Sequence, residues 1–176
     1  MAKLVYALNQ TLDGYVDHDA SAPDAELFQH FVEDMRSLAG CLYGRRMYET
    51  MRYWDDDLAD WTEAERAFAQ AWRGRPKWVV SSALRTVGPK AELVRGDLSA
   101  AVRKLKSEHE GVIEVAGPQL AGALSSLGLV DEYRIYVHPI AIGRGKPYFT
   151  ASPPPLRLLA HEKIGDQVVR LTYVPA

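Results

Sequence analysis

The stretch with the most evident chemistry is Cys41–Glu49, in which Gly44 is followed by Arg45 and Arg46. Small apolar and aromatic residues before the glycine predict a strand, and apolar residues at helical spacing after it predict a helix. Free N–H groups at a helix start attract phosphate, and guanidinium groups match its oxygens. The stretch is therefore a candidate phosphate-binding corner, although an ordinary strand-to-helix turn with two solvated arginines has the same pattern.

A second small-residue turn, Ala116–Pro118, follows another predicted strand and opens another predicted helix. Ser81 and Ser82 end a third predicted strand, where hydroxyls hold phosphate or ribose oxygens but are also common turn residues. Ligands of open α/β sheets bind where the parallel strands end. A dinucleotide needs two phosphate corners and a ribose site, and the sequence offers candidates for each.

Residues for the substrate side are less clearly marked. Asp13 precedes Gly14 and is either a turn former, which is the favoured interpretation, or a carboxylate at the mouth of a pocket. Glu26 and His30 lie on a predicted amphipathic helix and could face a ligand, although a solvated helix face is the default. His18 and its flanking aspartates favour a solvated loop over a metal site. His138 precedes a proline and is interpreted as structural.

The elements that must position these residues alternate between strand and helix over most of the chain. Several strands then follow in succession, and the last two flank Gly165-Asp166 as a hairpin. This order predicts an α/β fold of three layers, in which helices flank a mostly parallel central sheet with antiparallel strands at its C-terminal edge. A box of the form Thr-x-x-Glu at Thr62–Glu65 predicts a helix start.

The composition narrows the class of protein. The 176 residues are 47% hydrophobic and 25% charged, which predicts a single domain over residues 1–176 with a sizeable core. A net charge of −2 gives no electrostatic footprint for nucleic acid or an anionic membrane. The single cysteine, Cys41, excludes an intrachain disulfide and a multi-cysteine zinc site. Without a membrane-spanning run or signal peptide, we expect a cytoplasmic location and no bound metal.

Six segments, none very specific alone, occur together in one order over nearly the whole chain. They are Thr11–Gly14, Gly44–Glu49, Val80–Ser82, Ala116–Leu120, Leu129–Glu132 and Pro139–Phe149. In these segments the sequence resembles the dihydrofolate reductase-like superfamily. It is most similar to the reductase domain at the C-terminus of the bifunctional riboflavin-biosynthesis deaminase-reductase, whose deaminase half has no counterpart in these residues.

The resemblance implies NADPH as hydride donor and assigns residues to it. Gly44, Arg45, Arg46 and Met47 would take the pyrophosphate and the 2′-phosphate, Ser81 and Ser82 would lie near the adenosine ribose, Gly117, Pro118, Gln119 and Leu120 would hold the other side of the pyrophosphate, and Ala7 would line the nicotinamide. The resemblance also implies a homodimer that pairs through the late strands.

Two departures from the family pattern bear on these expectations. Ala116 stands where the family turn has glycine, and its methyl group could crowd the turn or the cofactor. Folate-reducing members carry a carboxylate four residues before a helix phenylalanine, and counting back from Phe31 gives Leu27. This disfavours folate reduction, because no carboxylate would anchor the pterin.

The sequence therefore predicts an NADPH-dependent reductase of a small heterocyclic or carbonyl substrate, similar to the 5-amino-6-(5-phosphoribosylamino)uracil reductase of riboflavin biosynthesis. The alternative is a non-catalytic nucleotide-binding or ligand-sensing module on the same fold. The first candidate for a catalytic contact is Asp13, followed by Glu26 and His30 on the substrate side.

Overall fold

The computed structural model describes residues 1–17, 19 and 22–176, so the sequence-based interpretation of His18 lies outside the described residues. The strands are β1 (Lys3–Thr11), β2 (Gly40–Gly44), β3 (Lys77–Val80), β4 (Ala91–Val94), β5 (Val112–Ala116), β6 (Glu132–His138), β7 (Leu156–Ile164) and β8 (Val168–Pro175). The helices are α1 (Ala25–Ser37), α2 (Arg45–Met51), α3 (Glu63–Gly74), α4 (Leu98–Glu108) and α5 (Pro118–Ser126), and a 3₁₀-helix, Arg52–Asp55, extends α2.

The strands form one sheet in the order β4-β3-β2-β5-β1-β6-β8-β7. The first six strands in this order pair in parallel, and β8 and β7 add an antiparallel edge. The β7–β8 turn contains Gly165 at a φ of 61°, a conformation that favours glycine. The predicted fold class is therefore confirmed, including the C-terminal hairpin.

Helices cover both faces of the sheet and bury a large apolar cluster on each face. On one face α1, α2 and α3 contribute side chains such as Val32, Tyr48 and Trp72. On the other face α4 and α5 contribute Val102 and Leu124, which pack against alternate residues of β1, β5 and β6. Successive side chains of each strand point to opposite faces of the sheet. A residue's position in its strand therefore decides whether its side chain lies beneath α1 or beneath α5.

Side-chain caps begin the longer helices. Asp24 accepts a hydrogen bond from the Leu27 amide at 2.8 Å and begins α1. Thr62 and Glu65 form the predicted capping box of α3. Among the described residues, no helix is long and apolar enough to cross a bilayer, and no group of three His, Cys, Asp or Glu side chains could hold a metal ion.

Candidate functional site

Two strand-to-helix corners lie side by side at the carboxyl edge of the sheet, the edge at which the parallel strands end. The first joins β2 to α2 at Gly44, and the second joins β5 to α5 at Gly117. β2 and β5 are neighbours, and Tyr43 is the register partner of Ala116. The helices therefore begin at the same level, one strand apart.

The corners also contact each other closely. A Cβ atom placed on Gly44 would lie 3.8 Å from the Cβ of Leu120, and one placed on Gly117 would lie 3.6 Å from the Cβ of Met47. Gly117 has a φ of 108°, which residues with a side chain rarely adopt. The two turns therefore form one continuous backbone surface. Because neither glycine carries a Cβ atom, a ligand can approach that surface closely.

Donors at this surface are free to bind an anion. Neither α2 nor α5 has a side-chain N-cap hydrogen bond, and Pro118 has no N–H, so the backbone amides of Gln119 and Leu120 are the donors at the start of α5. Arg45 and Arg46 are exposed, and neither forms an ion pair or hydrogen bond within the part of the chain that the structure describes. The corner thus carries unpaired positive charge, as phosphate binding requires.

The serines that end β3 lie next to this corner, because Val80 pairs with Gly44. Ser81 is nearly buried, and its hydroxyl oxygen accepts hydrogen bonds from the amides of Ala83 and Leu84 at 3.2 and 3.0 Å. That oxygen therefore holds the turn after β3. Ser82 is exposed and is the better placed of the two to contact a ribose.

Ala7 and Ala116 lie level with each other on adjacent strands, since Tyr6 of β1 pairs with Val115 of β5. Ala7 is in contact with a small apolar cluster that includes Leu27 and Tyr136. Ala116 is 3% exposed, and its methyl group packs in the core beneath α1. The unusual backbone conformation belongs to Gly117, so the methyl group of Ala116 does not crowd the turn.

Asp13 holds two loops together. Its carboxylate accepts hydrogen bonds from the Thr11 hydroxyl at 2.6 Å and from the amides of Ile142 and Gly143 at 3.1 and 2.7 Å. The Thr11 hydrogen bond and the Gly143 amide lower the pKa of the carboxyl. Asp13 therefore fixes the position of the loop that contains Ile142 and Gly143 at the carboxyl edge of the sheet. Contact between Asp13 and a substrate stays a prediction.

The other two substrate-side candidates lie away from the corners, on the far side of β1. Glu26 is exposed on the first turn of α1, whereas the Nε2 atom of His30 lies 3.1 Å from the Tyr136 hydroxyl and 3.2 Å from the Asp34 carboxylate. Arg170 of β8 reaches the same His30 nitrogen at 3.4 Å. His30 thus belongs to a polar network that ties α1 to β6 and β8.

A groove of about 500 Å³ opens beside this network at the carboxyl edge. Its walls come from the start of α1, the end of β6 and the β7–β8 turn; the lining residues are Ala22, Asp24, Leu27, His138, Pro139, Ile140, Asp166, Gln167 and Val168. A depression of similar size, about 480 Å³, lies around Pro76 and Trp78, at the amino end of β3 and away from the corners.

His138 is a groove residue for which the sequence pattern favours only a structural role. It is 5% exposed, and its Nε2 atom lies 2.8 Å from the Asn9 side-chain oxygen. The clue in the sequence was that Glu132, Arg134 and Tyr136 alternate with it, which puts four polar side chains on one face of an interior strand.

Comparison with known proteins adds an independent observation. The family model of the RibD C-terminal domain matches residues 2–170. The chain belongs to the RibD C-terminal domain family. The match spans both corners, the serines after β3 and the groove at the end of β6. Membership supports a reductase of the kind found in riboflavin biosynthesis, a class that typically uses a nicotinamide cofactor.

Individual members of this fold are distant in sequence. The chain is 24% identical over 151 residues to the uncharacterized protein YyaP of Bacillus subtilis, covering 84% of this chain and 80% of that protein. A crystal structure from Shewanella sp. PV-4, assigned provisionally to riboflavin biosynthesis, superposes with a TM-score of 0.75 at 23% identity over 100% of this chain and 99% of that one. RibD of Acinetobacter baumannii gives 0.74 at 16% identity over 100% of this chain and 58% of RibD.

Proposed function

We propose that this protein is an NADPH-dependent reductase of a small heterocyclic or carbonyl substrate, similar to the pyrimidine reductase of riboflavin biosynthesis. The observation that carries the proposal is the contact between the two corners. They present uncapped amides, unpaired arginines and a glycine surface at one place. Family membership supports the same reaction class.

In this proposal the chain's residues divide the cofactor between them. The amides of Gln119 and Leu120 and the backbone at Gly44 bind the pyrophosphate, and Arg45 and Arg46 bind the 2′-phosphate. Ser82 contacts the ribose. When bound, the cofactor supplies a hydride to an electrophilic carbon of the substrate.

The nicotinamide side of the site is apolar. Ala7, which the proposal places against the nicotinamide, is 8% exposed and clusters with the fully buried Leu27. Phe31 packs against the same cluster. These side chains exclude water from the position that the proposal gives to hydride transfer, and the small methyl group of Ala7 leaves room for a ring.

A cofactor assay tests the proposal directly. We expect the purified protein to bind NADPH in calorimetry and to oxidise it in the presence of at least one pyrimidine or pterin from a panel of heterocycles. Binding without oxidation across the panel would favour the nucleotide-binding or ligand-sensing module. Absence of binding to either nicotinamide cofactor would contradict the reductase proposal.

Dihydrofolate should be a poor substrate even when NADPH binds well. Leu27 is fully buried and Glu26 is exposed, so α1 directs no carboxylate from these positions toward Ala7. A protonated pterin presents two adjacent donors that a carboxylate accepts as a fork, and leaving them unpaired costs about 1–3 kcal/mol each. Steady-state kinetics with dihydrofolate measure this. Efficient turnover that is lost in Glu26→Gln, with Glu33→Gln as the matched exposed control, would contradict it.

We propose that the assembly is a homodimer formed through the β7 edge. β7 is a nine-residue edge strand, and the exposed fractions of Leu158 and Leu159 are 46% and 53%. Val169 of β8 is 39% exposed. Unpaired edge strands with apolar side chains are usually covered by a partner.

Light scattering tests the assembly. The wild-type chain should give twice its monomer mass of 19.6 kDa at micromolar concentration. Leu158→Asp combined with Leu159→Asp should give the monomer, because two carboxylates would be buried at the contact. The control Leu12→Asp, at another exposed leucine, should remain dimeric. A wild-type monomer across this concentration range would refute the proposal.

A further inference from the structure

The groove beside His138 has an apolar floor that continues to the proposed reaction site. Leu27 and Val168 line the groove, and both belong to the apolar cluster that includes Ala7. β6 lies directly beside β1 in the sheet, so the groove opens one strand away from Ala7. A ring lying against Ala7 could therefore extend its substituents into the groove.

His138 offers a hydrogen-bond acceptor inside this groove. The side-chain oxygen of Asn9 can only accept, so the bond to it requires the proton on Nε2 of His138. The neutral ring then leaves a lone pair on Nδ1, which has no hydrogen-bond partner among residues 1–17, 19 and 22–176. Burial lowers the pKa of His138, which favours this neutral form. His138 lines the groove, so this nitrogen is available to an N–H or O–H donor of a ligand that binds there.

The other ionisable groups of the groove are acidic. The Asp24 carboxylate accepts hydrogen bonds from the amides of Leu27 and Asp166 at 2.8 and 2.9 Å, and these bonds lower the pKa of its carboxyl. Asp166 is exposed at the rim. Among the described residues, neither lysine nor arginine lines the groove. A phosphate group in the groove would therefore lie near two negative charges, and the described lining residues include no lysine or arginine to offset its charge.

We propose that this groove binds the polar substituent of the substrate and selects an uncharged, donor-rich group, such as the hydroxyls of an unphosphorylated ribosyl or ribityl chain, over a phosphorylated one. This inference rests on the proposed reductase function, because it takes the ligand of the groove to be the substrate of that reaction. His138 accepts a hydrogen bond from the substituent through Nδ1, and Asp24 and Asp166 disfavour phosphate by charge repulsion. Asn9 positions the imidazole.

A matched pair of ligands tests this inference, namely 5-amino-6-ribosylaminouracil and its 5′-phosphate. The first readout is the NMR signal of the His138 ring in the NADPH-saturated protein, which needs no turnover. We expect the unphosphorylated compound to shift this signal and to bind at least tenfold more tightly than the phosphate. If NADPH does not bind, the same titration is performed on the cofactor-free protein.

Two variants then assign the preference to the groove. His138→Gln keeps a donor toward Asn9 but removes the Nδ1 acceptor, so KM for the unphosphorylated compound should rise roughly tenfold with little change in kcat, the size expected for one buried hydrogen bond. Asp166→Asn should improve binding of the phosphate roughly threefold, as expected for one exposed charge. His161→Gln, at an exposed position on β7, is the control and should change neither.

The outcomes separate this inference from the proposed function. NADPH binding and turnover combined with preference for the phosphate, or with unchanged KM in His138→Gln, would overturn the groove assignment and leave the reductase function standing. If the wild-type protein does not bind NADPH but the unphosphorylated compound still shifts the His138 signal, the reductase function would be overturned. The assignment of the groove as a binding site for this compound would be supported. A His138 signal that neither compound shifts at saturation would overturn the inference.

Discussion

Replacing Arg45 and Arg46 together by alanine should weaken NADPH binding roughly hundredfold and leave NADH binding nearly unchanged. Both side chains are exposed beside Gly44 and are unpaired among the described residues, so their charge is available to a ligand. Only NADPH carries the 2′-phosphate that they could bind. Hydrogen bonds to a charged group contribute about 1.5–3 kcal/mol, which corresponds to roughly ten- to hundredfold in affinity for each one lost.

Isothermal calorimetry with both cofactors measures the effect, and circular dichroism confirms that the variant is folded. The matched control is Arg103→Ala, an exposed arginine on α4 that should leave both dissociation constants unchanged. Raising the salt concentration should reduce the wild-type preference for NADPH, because exposed charges are screened. Equal dissociation constants for NADPH and NADH in the wild-type protein would refute the assignment of these arginines.

The corners could be predicted from the sequence because each is a local pattern. A strand, a glycine and a helix start follow one another within a few residues at Gly44 and again at Gly117. The contact between the two corners could not be predicted from a local pattern. It depends on β5 inserting between β1 and β2, a strand order that no spacing within either corner encodes.

The polar residues show the same limit. Asp13 lies in a turn dipeptide, and its local interpretation as a turn former agrees with its bond to Thr11. Its bonds to Ile142 and Gly143 join residues 129 and 130 positions apart, so the sequence around Asp13 carries no sign of them. The proline after His138 favours a structural interpretation of this residue, whereas its partner Asn9 and the groove come from distant parts of the chain.

Glu114 is a second polar residue whose behaviour depends on the sheet. It lies in the middle of β5 between Val5 and Cys41, and it points to the same face as Ala116, beneath α1. Burial raises the pKa of Glu114 to about 8, and the nearby Asp34 carboxylate acts in the same direction. Arg134 opposes this effect only in part, and its guanidinium donates a hydrogen bond to Glu132 at 2.7 Å.

The raised pKa of Glu114 predicts that the folded protein loses stability as the pH rises from about 4.5 to about 8. The folded state binds this proton more tightly than the unfolded chain, so the stabilisation is complete below the ordinary pKa of 4.5 and is lost as the pH rises through about 8. Each pH unit in that interval lowers the free energy of unfolding by up to about 1.4 kcal/mol. Glu114→Gln keeps the shape of the protonated side chain and removes the titration.

Urea unfolding at pH 5, 7 and 9 should therefore show the wild-type protein and Glu114→Gln diverging as the pH rises. Near pH 5 the two free energies of unfolding should be similar. At pH 9 the variant should be more stable by roughly 3–5 kcal/mol, which is the stability that the rise of the Glu114 pKa from 4.5 to about 8 removes from the wild-type protein. The control Glu92→Gln, at an exposed position on β4, should follow the wild-type curve. Parallel pH profiles for wild type and Glu114→Gln would show that the carboxyl of Glu114 ionises in the folded protein as it does in the unfolded chain, and would contradict the raised pKa that burial gives this carboxyl.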